Sequence, residues 1–397
     1  MSILVINAGS TSLKFALLDR EAVNMLLSGV IDWSDGDRHR ARLVVRSTRS
    51  GEFKTTVPVP DAATAATRAI ELAAFTSPVT LLGHRVVHGG TEFSESRLID
   101  AEVKAVIARL ARLAPLHNPP ALAAIEAAEA ALPGVPQVAV FDTAFFARLP
   151  ARAFLYPLPY EWFEKFGVRR IGFHGISHGS CAARAAEMLG RPASGLRLVT
   201  CHLGGGCSAT AVCDGAPVST TMGFTPLEGL MMGTRAGSID PGVLIHLQRH
   251  CGLGLDEIDH ALNHRSGFLG VSGFSSGSRE IETAMQAGHE RARLAFEMFA
   301  DRVRATIGAL AVGMGGLDAL VFTAAIGERS PLVRAAVCDG LGCLGLRLDP
   351  VRNEACAPDC DIAVPDSPGR ILVVRAQEER VIAQEARRVG GGRTVKR

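Results

Sequence analysis

A chain of 397 residues, 47% of them hydrophobic, has room for two domains and can bury a core of ordinary size. Its 42 basic and 40 acidic residues leave a net charge of +2. That balance gives no electrostatic case for binding nucleic acid or an anionic membrane surface. The opening MSILVINAGS has neither a basic flank nor a small-residue cleavage site, which argues against a signal peptide. The longest apolar run, 308–322, is too short to span a bilayer and contains Asp318. A soluble, cytoplasmic protein is expected. Nine cysteines make an odd count for a disulfide framework. Cys338, Cys343, Cys356 and Cys360 lack paired C-x-x-C spacing, so they read as inert thiols rather than zinc ligands.

Residues 3–19 (ILVINAGSTSLKFALLD) form an apolar run, a turn of small polar residues, a second apolar run and an Asp. This predicts a β-hairpin whose turn approaches something closely. A strand follows at 81–87, helical spacing at 100–113, and an Ala-rich helix at 120–132 that ends at Pro133-Gly134. Short strands are expected at 138–141 and 169–173, with a helix at 180–189. Residues 197–214 (RLVTCHLGGGCSATAVCD) then repeat the opening pattern. A long helix at 289–310 leads to a strand at 319–323. The order is that of an α/β chain in two halves, and the echo between the hairpins points to an internal duplication.

Three turns carry what a phosphate needs: backbone N–H groups, small residues and hydroxyls. The first holds Asn7, Gly9, Ser10, Ser12 and Lys14, the second Gly204, Gly205, Gly206 and Ser208, and the third Ala324, Ala325 and Gly327. No Gly-Lys pair exists, so there is no Walker A loop, and no GxGxxG turn follows a strand. Arg85 in GHRVVHGG and Arg235 in GLMMGTRAG have forks suited to carboxylate and phosphate oxygens. Asp142 stands just past a strand, where a catalytic or metal-linked carboxylate is often found. His117 lies in PLHNPP, and His174 and His178 in FHGISH. Any one of these histidines is more often a hydrogen-bonded core residue, and Gly175 argues against a helix joining the last two as a zinc pair. Residues 175–179 also match G-x-S-x-G, the nucleophile elbow of serine hydrolases. With 42 glycines in the chain that match carries little weight, and a hydrolase would leave the two hairpins unexplained.

Taken together, INAGSTSLKF, GHRVVHGG, APLHNPP, FDTAFF, RRIGFHGISH, HLGGGCSATAV, TMGFTPLEGLMMGTRAGSIDPG and FTAAIGERSP resemble the acetate kinases, in that order and from residue 3 to about 385. The resemblance implies a two-domain actin-like ATPase (ribonuclease H-like) α/β fold with a duplicated βββαβαβα core. It implies an N-terminal domain over 1–148, a nucleotide-binding domain over 149–379, and a segment from about 380 that returns to the first. The implied reaction is reversible transfer of a phosphoryl group from ATP to acetate, giving acetyl phosphate and ADP, in a homodimer that needs Mg²⁺ or Mn²⁺. The implied alternatives are a propionate or other short-chain carboxylate kinase and a non-catalytic nucleotide-binding relative.

Carried over by position, Asn7 and Glu378 would hold the metal. Ser10, Ser12, Lys14, His202, Gly204, Gly205, Gly206, Arg279, Ala325 and Gly327 would serve ATP. Arg85 and Arg235 would bind the substrate carboxylate and the migrating phosphoryl group. His174 would hydrogen-bond that group, and Asp142 would orient the cluster. Val87, Leu116, His117, Phe173 and Pro226 would line the acid's pocket. The sequence departs from the family on the nucleotide side: Gly205 stands for the usual Asn, Ala324-Ala325 for Gly-Gly, Arg329 for Asn, and Gly277 for an Asp.

Overall fold

The computed structural model describes residues 2–391 apart from 10, 34 and 35. The chain divides into two compact units, Met1–Ala147 with Gln377–Arg397, and Arg148–Ala376.

The first unit is built on strands β1 (Ser2–Ala8), β2 (Ser12–Asp19), β3 (Met25–Asp32), β4 (Ala41–Ser47), β5 (Gly51–Val57), β6 (Val79–Val86), β7 (Arg97–Leu98) and β8 (Gln137–Phe141). They form one sheet in the order β5-β4-β3-β2-β1-β6-β8-β7. Strands β1 to β5 pair antiparallel as a meander, whereas β6 runs parallel to β1 and β8 parallel to β6. Strand β1 is covered on both faces, which is why Ile3–Ile6 read as an uninterrupted apolar run. On one face Leu4, Ile6, Phe15 and Leu17 meet Ala65, Ala66, Ala69 and Ile70 of helix Ala62–Thr76. The opposite face is covered by helix Glu378–Gly390. It lies so close to β6 that a Cβ at Gly83 would stand 2.9 Å from Ile382 Cγ2.

The second unit holds β9 (Arg197–Leu203), β10 (Cys207–Cys213), β11 (Ala216–Thr220), β12 (Ala319–Thr323), β13 (Cys360–Asp361) and β14 (Arg370–Val373), in the order β11-β10-β9-β12-β14-β13. Three antiparallel strands, against five in the first sheet, are followed by two parallel ones, β12 beside β9 and β14 beside β12. The order β3-β2-β1-β6-β8 in the first sheet and β11-β10-β9-β12-β14 in the second is the same topology used twice. The hairpin echo in the sequence is the visible trace of that duplication. Helix Glu290–Gly313 packs on β9 and β10 through a stripe that includes Phe299, Val303 and Ile307.

Three expectations need correcting. Residues 169–173 are not a strand: Gly172 turns the chain with φ 82°, and Arg170 and Ile171 are tied to the loop after β11 through Thr221 O and Gly223 O. The next helix starts at Gly175 rather than Ser180, running to Met188, so Gly175 opens a helix instead of preventing one. Cys356 and Cys360, expected as inert thiols, are joined by a disulfide across a five-residue loop.

Candidate active site

In the first unit the C-terminal ends of the parallel strands carry Asn7, Arg85 and Asp142. Ladder pairing of β1, β6 and β8 brings these positions side by side, and Asp142 N donates to Val86 O at 2.9 Å. Arg85 donates through Nη2 to Asp142 Oδ2 and through Nη1 to Asn7 Oδ1 at 3.3 Å. The Asp142 side chain is fully buried and that of Arg85 nearly so. Burial works against the guanidinium charge, but Asp142, Glu378 and Glu379 outweigh it and raise the Arg85 pKa above its ordinary value. The cluster is thus a fixed cation in a field of carboxylates. Lys14 pairs with Asn7 across the β1–β2 ladder, with its side chain exposed, and Ser12 begins β2. Ser10 lies outside the described residues.

The loop after β6 is pinned from below. Asn118, buried at the start of helix Asn118–Ala131, accepts from His88 N at 3.2 Å and donates to His88 O at 3.0 Å. Gly89 must be glycine there, since a Cβ would lie 2.8 Å from the Phe141 ring, and its N–H donates to Thr143 Oγ1. Burial pushes the His88 pKa down to about 4, so that ring is neutral. Val87 is buried, Leu116 is exposed, and His117 stands half-buried at the N-cap of helix Asn118–Ala131. Asn118 and Glu379 were not picked out from the sequence. Asn118 sits in the quoted PLHNPP block, but only the folded chain shows that it grips the His88 peptide.

The second unit gathers three histidines. His174 has φ 60° and ψ 27°, the left-handed region that a non-glycine residue enters at a cost of about 1–3 kcal/mol. It faces the end of the β9–β10 hairpin, with Nδ1 2.8 Å from Ser208 Oγ. Its ring stacks on His202 with centroids 4.1 Å apart. His202 Nδ1 meets Ser177 Oγ at 2.8 Å, and His178 bridges Thr200 Oγ1 and Ser208 Oγ at 2.7 and 2.8 Å. Burial, with His202 adding to it, holds His178 well below the ordinary imidazole pKa. Ser177 is buried on a regular helix, and the strained residue is His174, three positions earlier. A nucleophile elbow needs its serine exposed on the strained turn, so the hydrolase reading has no structural support.

Gly206 draws the rest together. A Cβ there would stand 3.1 Å from Arg235 Nη2 and 3.4 Å from His174 Nε2, so the glycine keeps open the space that these two groups face. Arg235 donates through Nη1 to Pro226 O at 2.8 Å, and among the described residues no carboxylate pairs with it. Burial lowers its pKa, with nearby Cys207 working the other way. A half-buried cation with no acid beside it among the described residues, set against a bare-backbone turn, is built to receive an anion. Phe173 is buried next to His174.

The third turn is close by. A Cβ at Gly204 would lie 3.7 Å from Ala324 Cβ, and a Cβ at Gly205 would meet no described residue within 4 Å. Ala325 is exposed and Gly327 is buried in helix Ala324–Arg329, with Arg279 exposed on helix Ser278–Gln286. Glu328 Oε1 accepts from Ala324 N at 3.0 Å and Ala376 N at 2.8 Å. Ala324 has φ 65°, a conformation that suits glycine. Ala324→Gly is therefore expected to stabilise the protein by about 0.5–1 kcal/mol, read as a higher urea midpoint. A lower midpoint would mean that the Ala324 methyl makes contacts worth more than the torsional strain.

Residues 2–384 match the Acetokinase family model. The chain is 50% identical over 401 residues to the acetate kinase of Gloeobacter violaceus, covering 97% of this chain and 98% of that one. It is 48% identical over 399 residues to the acetate kinase of a Cyanothece species, covering 97% of each. Among solved structures, Porphyromonas gingivalis acetate kinase aligns with TM-score 0.89 at 38% identity, covering 98% of this chain and 99% of that one. A propionate kinase from Francisella tularensis aligns with TM-score 0.90 at 34% identity over the same shares. With sequence, strand order and family model agreeing over nearly its whole length, the chain belongs to the acetokinase family.

Proposed function

We propose that this chain is an acetate kinase, a phosphotransferase that moves the γ-phosphoryl group of ATP to a carboxylate oxygen of acetate and returns it from acetyl phosphate to ADP. Arg235 carries the reading: a half-buried guanidinium with no carboxylate partner among the described residues, facing the same space as His174 beside Gly206. A phosphoryl group in transfer spreads negative charge over its equatorial oxygens, and pre-placed cations and N–H donors stabilise that charge without reorganising. The new P–O bond forms from an acetate oxygen as the bond to the ADP oxygen breaks. Acetate is already a nucleophile, so no side chain has to remove a proton.

In this reading Arg235 and His174 meet the migrating group, and the Gly204–Gly206 backbone meets the phosphates of the nucleotide. Ser10, Ser12, Lys14, His202, Arg279, Ala325 and Gly327 are proposed to serve ATP. Arg85, held by Asp142, binds the carboxylate, and Val87, Leu116, His117, Phe173 and Pro226 line the acid's pocket. Asn7 and Glu378 offer hard oxygen donors, and the acidic field that raises the Arg85 pKa also suits a divalent cation. They would hold Mg²⁺, which when bound neutralises phosphate oxygens. The two compact units are proposed to be the two acetokinase domains. A cytoplasmic homodimer is the proposed state. Helix Pro241–His250, which buries no residue and exposes Val243 and Ile245, is a surface suited to a second copy.

The test is trapping of the acyl phosphate with hydroxylamine across a series of acids. Since one methylene changes discrimination by about 1–3 kcal/mol, acetate should give the highest kcat/KM, propionate less and butyrate little. Propionate ahead of acetate would move the assignment to a propionate kinase like the Francisella relative. No product with any acid would leave a nucleotide-binding protein without this chemistry.

A further inference from the structure

Ser208 has no place in the reaction as described, yet its hydroxyl lies 2.8 Å from both His174 Nδ1 and His178 Nε2. On its far side His178 Nδ1 is 2.7 Å from Thr200 Oγ1. The Thr200 hydroxyl in turn donates across the β9–β10 hairpin to Thr210 O at 3.3 Å. Ser208, His178, Thr200 and Thr210 are all buried.

The Thr200 proton decides the direction of this chain, since its hydroxyl reaches both the Thr210 carbonyl at 3.3 Å and His178 Nδ1 at 2.7 Å. Given to the carbonyl, it leaves the Thr200 oxygen to accept from His178 Nδ1–H. His178 is held neutral by burial, so its Nε2 is a lone pair. Ser208 gives its single proton to that lone pair. The Ser208 oxygen is then an acceptor toward His174, whose Nδ1 must carry a proton.

We propose that Ser208, backed by His178 and Thr200, is a positioning residue that fixes the Nδ1–H tautomer of His174 and leaves Nε2, the edge beside Gly206 and Arg235, unprotonated unless the ring is charged. This rests on the reading that His174 meets the phosphoryl group. It follows that His174 donates to a phosphoryl oxygen only as the imidazolium, a charge-assisted bond. The groups facing the ring include Ser208 from β10, His202 stacked on it from β9, His178 from its own helix, and Arg235 near Gly206. Arg235 carries a permanent positive charge among them.

The experiment compares wild type, Ser208→Ala, Thr200→Val and Thr200→Ser by ¹⁵N NMR of the imidazole nitrogens without substrate, and by kcat against pH. In neutral wild-type His174, Nδ1 is expected as the protonated nitrogen, and kcat should fall on the alkaline side as the imidazolium is lost. Ser208→Ala should give mixed tautomers and a kcat lower by about tenfold or more near the optimum. It should also flatten the alkaline limb, because a neutral ring can then donate through Nε2. Thr200→Val should shift both readouts in the same direction by a smaller factor, and Thr200→Ser should restore them. A His174 that stays Nδ1-protonated in Ser208→Ala, or an unchanged pH profile with kcat within twofold, overturns the proposal. Normal kcat in His174→Ala would instead sink the functional reading and leave the tautomer result standing.

Discussion

Arg235→Ala should lower kcat by about 10²–10³-fold while the protein keeps its fold. The two halves of that expectation come from one observation. Arg235 is half-buried, bonded to the Pro226 carbonyl, and faces no carboxylate among the described residues, so removing it strands no buried acid. What is lost is a cation waiting for an anion, and a loss of that kind falls mainly on the transition state. Arg235→Lys should recover little, because an ammonium cannot hold the Pro226 carbonyl and also present a second donor in the same plane. Initial rates at saturating ATP and acetate, with circular dichroism on the same samples, decide the matter. A folded Arg235→Ala enzyme with near-normal kcat would remove this residue from the site.

Much of the fold was legible because its signals are local. Alternating apolar runs around small-residue turns marked both hairpins, and β12 was read at its observed bounds, Ala319–Thr323. The run at 169–173 looked equally strand-like. There tertiary bonds to Thr221 and Gly223 and the positive φ of Gly172 took the backbone elsewhere, and no local pattern announces such a competitor. The helix after it was expected five residues late because glycine was read as a breaker, whereas at the first turn it has little interior helix to weaken.

At the site, residue types were legible and partnerships were not. Arg85 and Asp142 stood out as charges in apolar surroundings, but their pairing depends on the parallel register of β6 and β8, which no short motif encodes. His174 stood out as a residue, but its left-handed backbone did not. Thr200, Ser208 and His178 come from two strands and a helix. Nothing in their spacing says which hydroxyl meets which ring nitrogen, and there the direction of a proton depends on distances of 2.7–3.3 Å.

The Arg85–Asp142 pair behaves differently from Arg235, because here fold and chemistry share the same charge. Asp142→Ala should cost about 3–5 kcal/mol of stability, since it leaves a buried guanidinium without its closest counter-ion. Glu378 and Glu379 still bear on Arg85 and should hold the loss toward the lower end of that range. Arg85→Ala should be costly for the mirror reason, leaving the fully buried Asp142 carboxylate without its guanidinium, and should also lower kcat by more than about 100-fold. The informative variant is the double one. Arg85→Met with Asp142→Leu removes both charges and roughly keeps the volume, so it should regain most of the stability that either single change to alanine loses, while activity stays lost. Urea midpoints for the four proteins, measured beside hydroxylamine-trapped rates, separate the two roles. If Asp142→Ala unfolds at the wild-type midpoint, the pair contributes nothing to the fold and its burial needs another explanation. If the double variant turns over at a normal rate, Arg85 does not hold the substrate carboxylate.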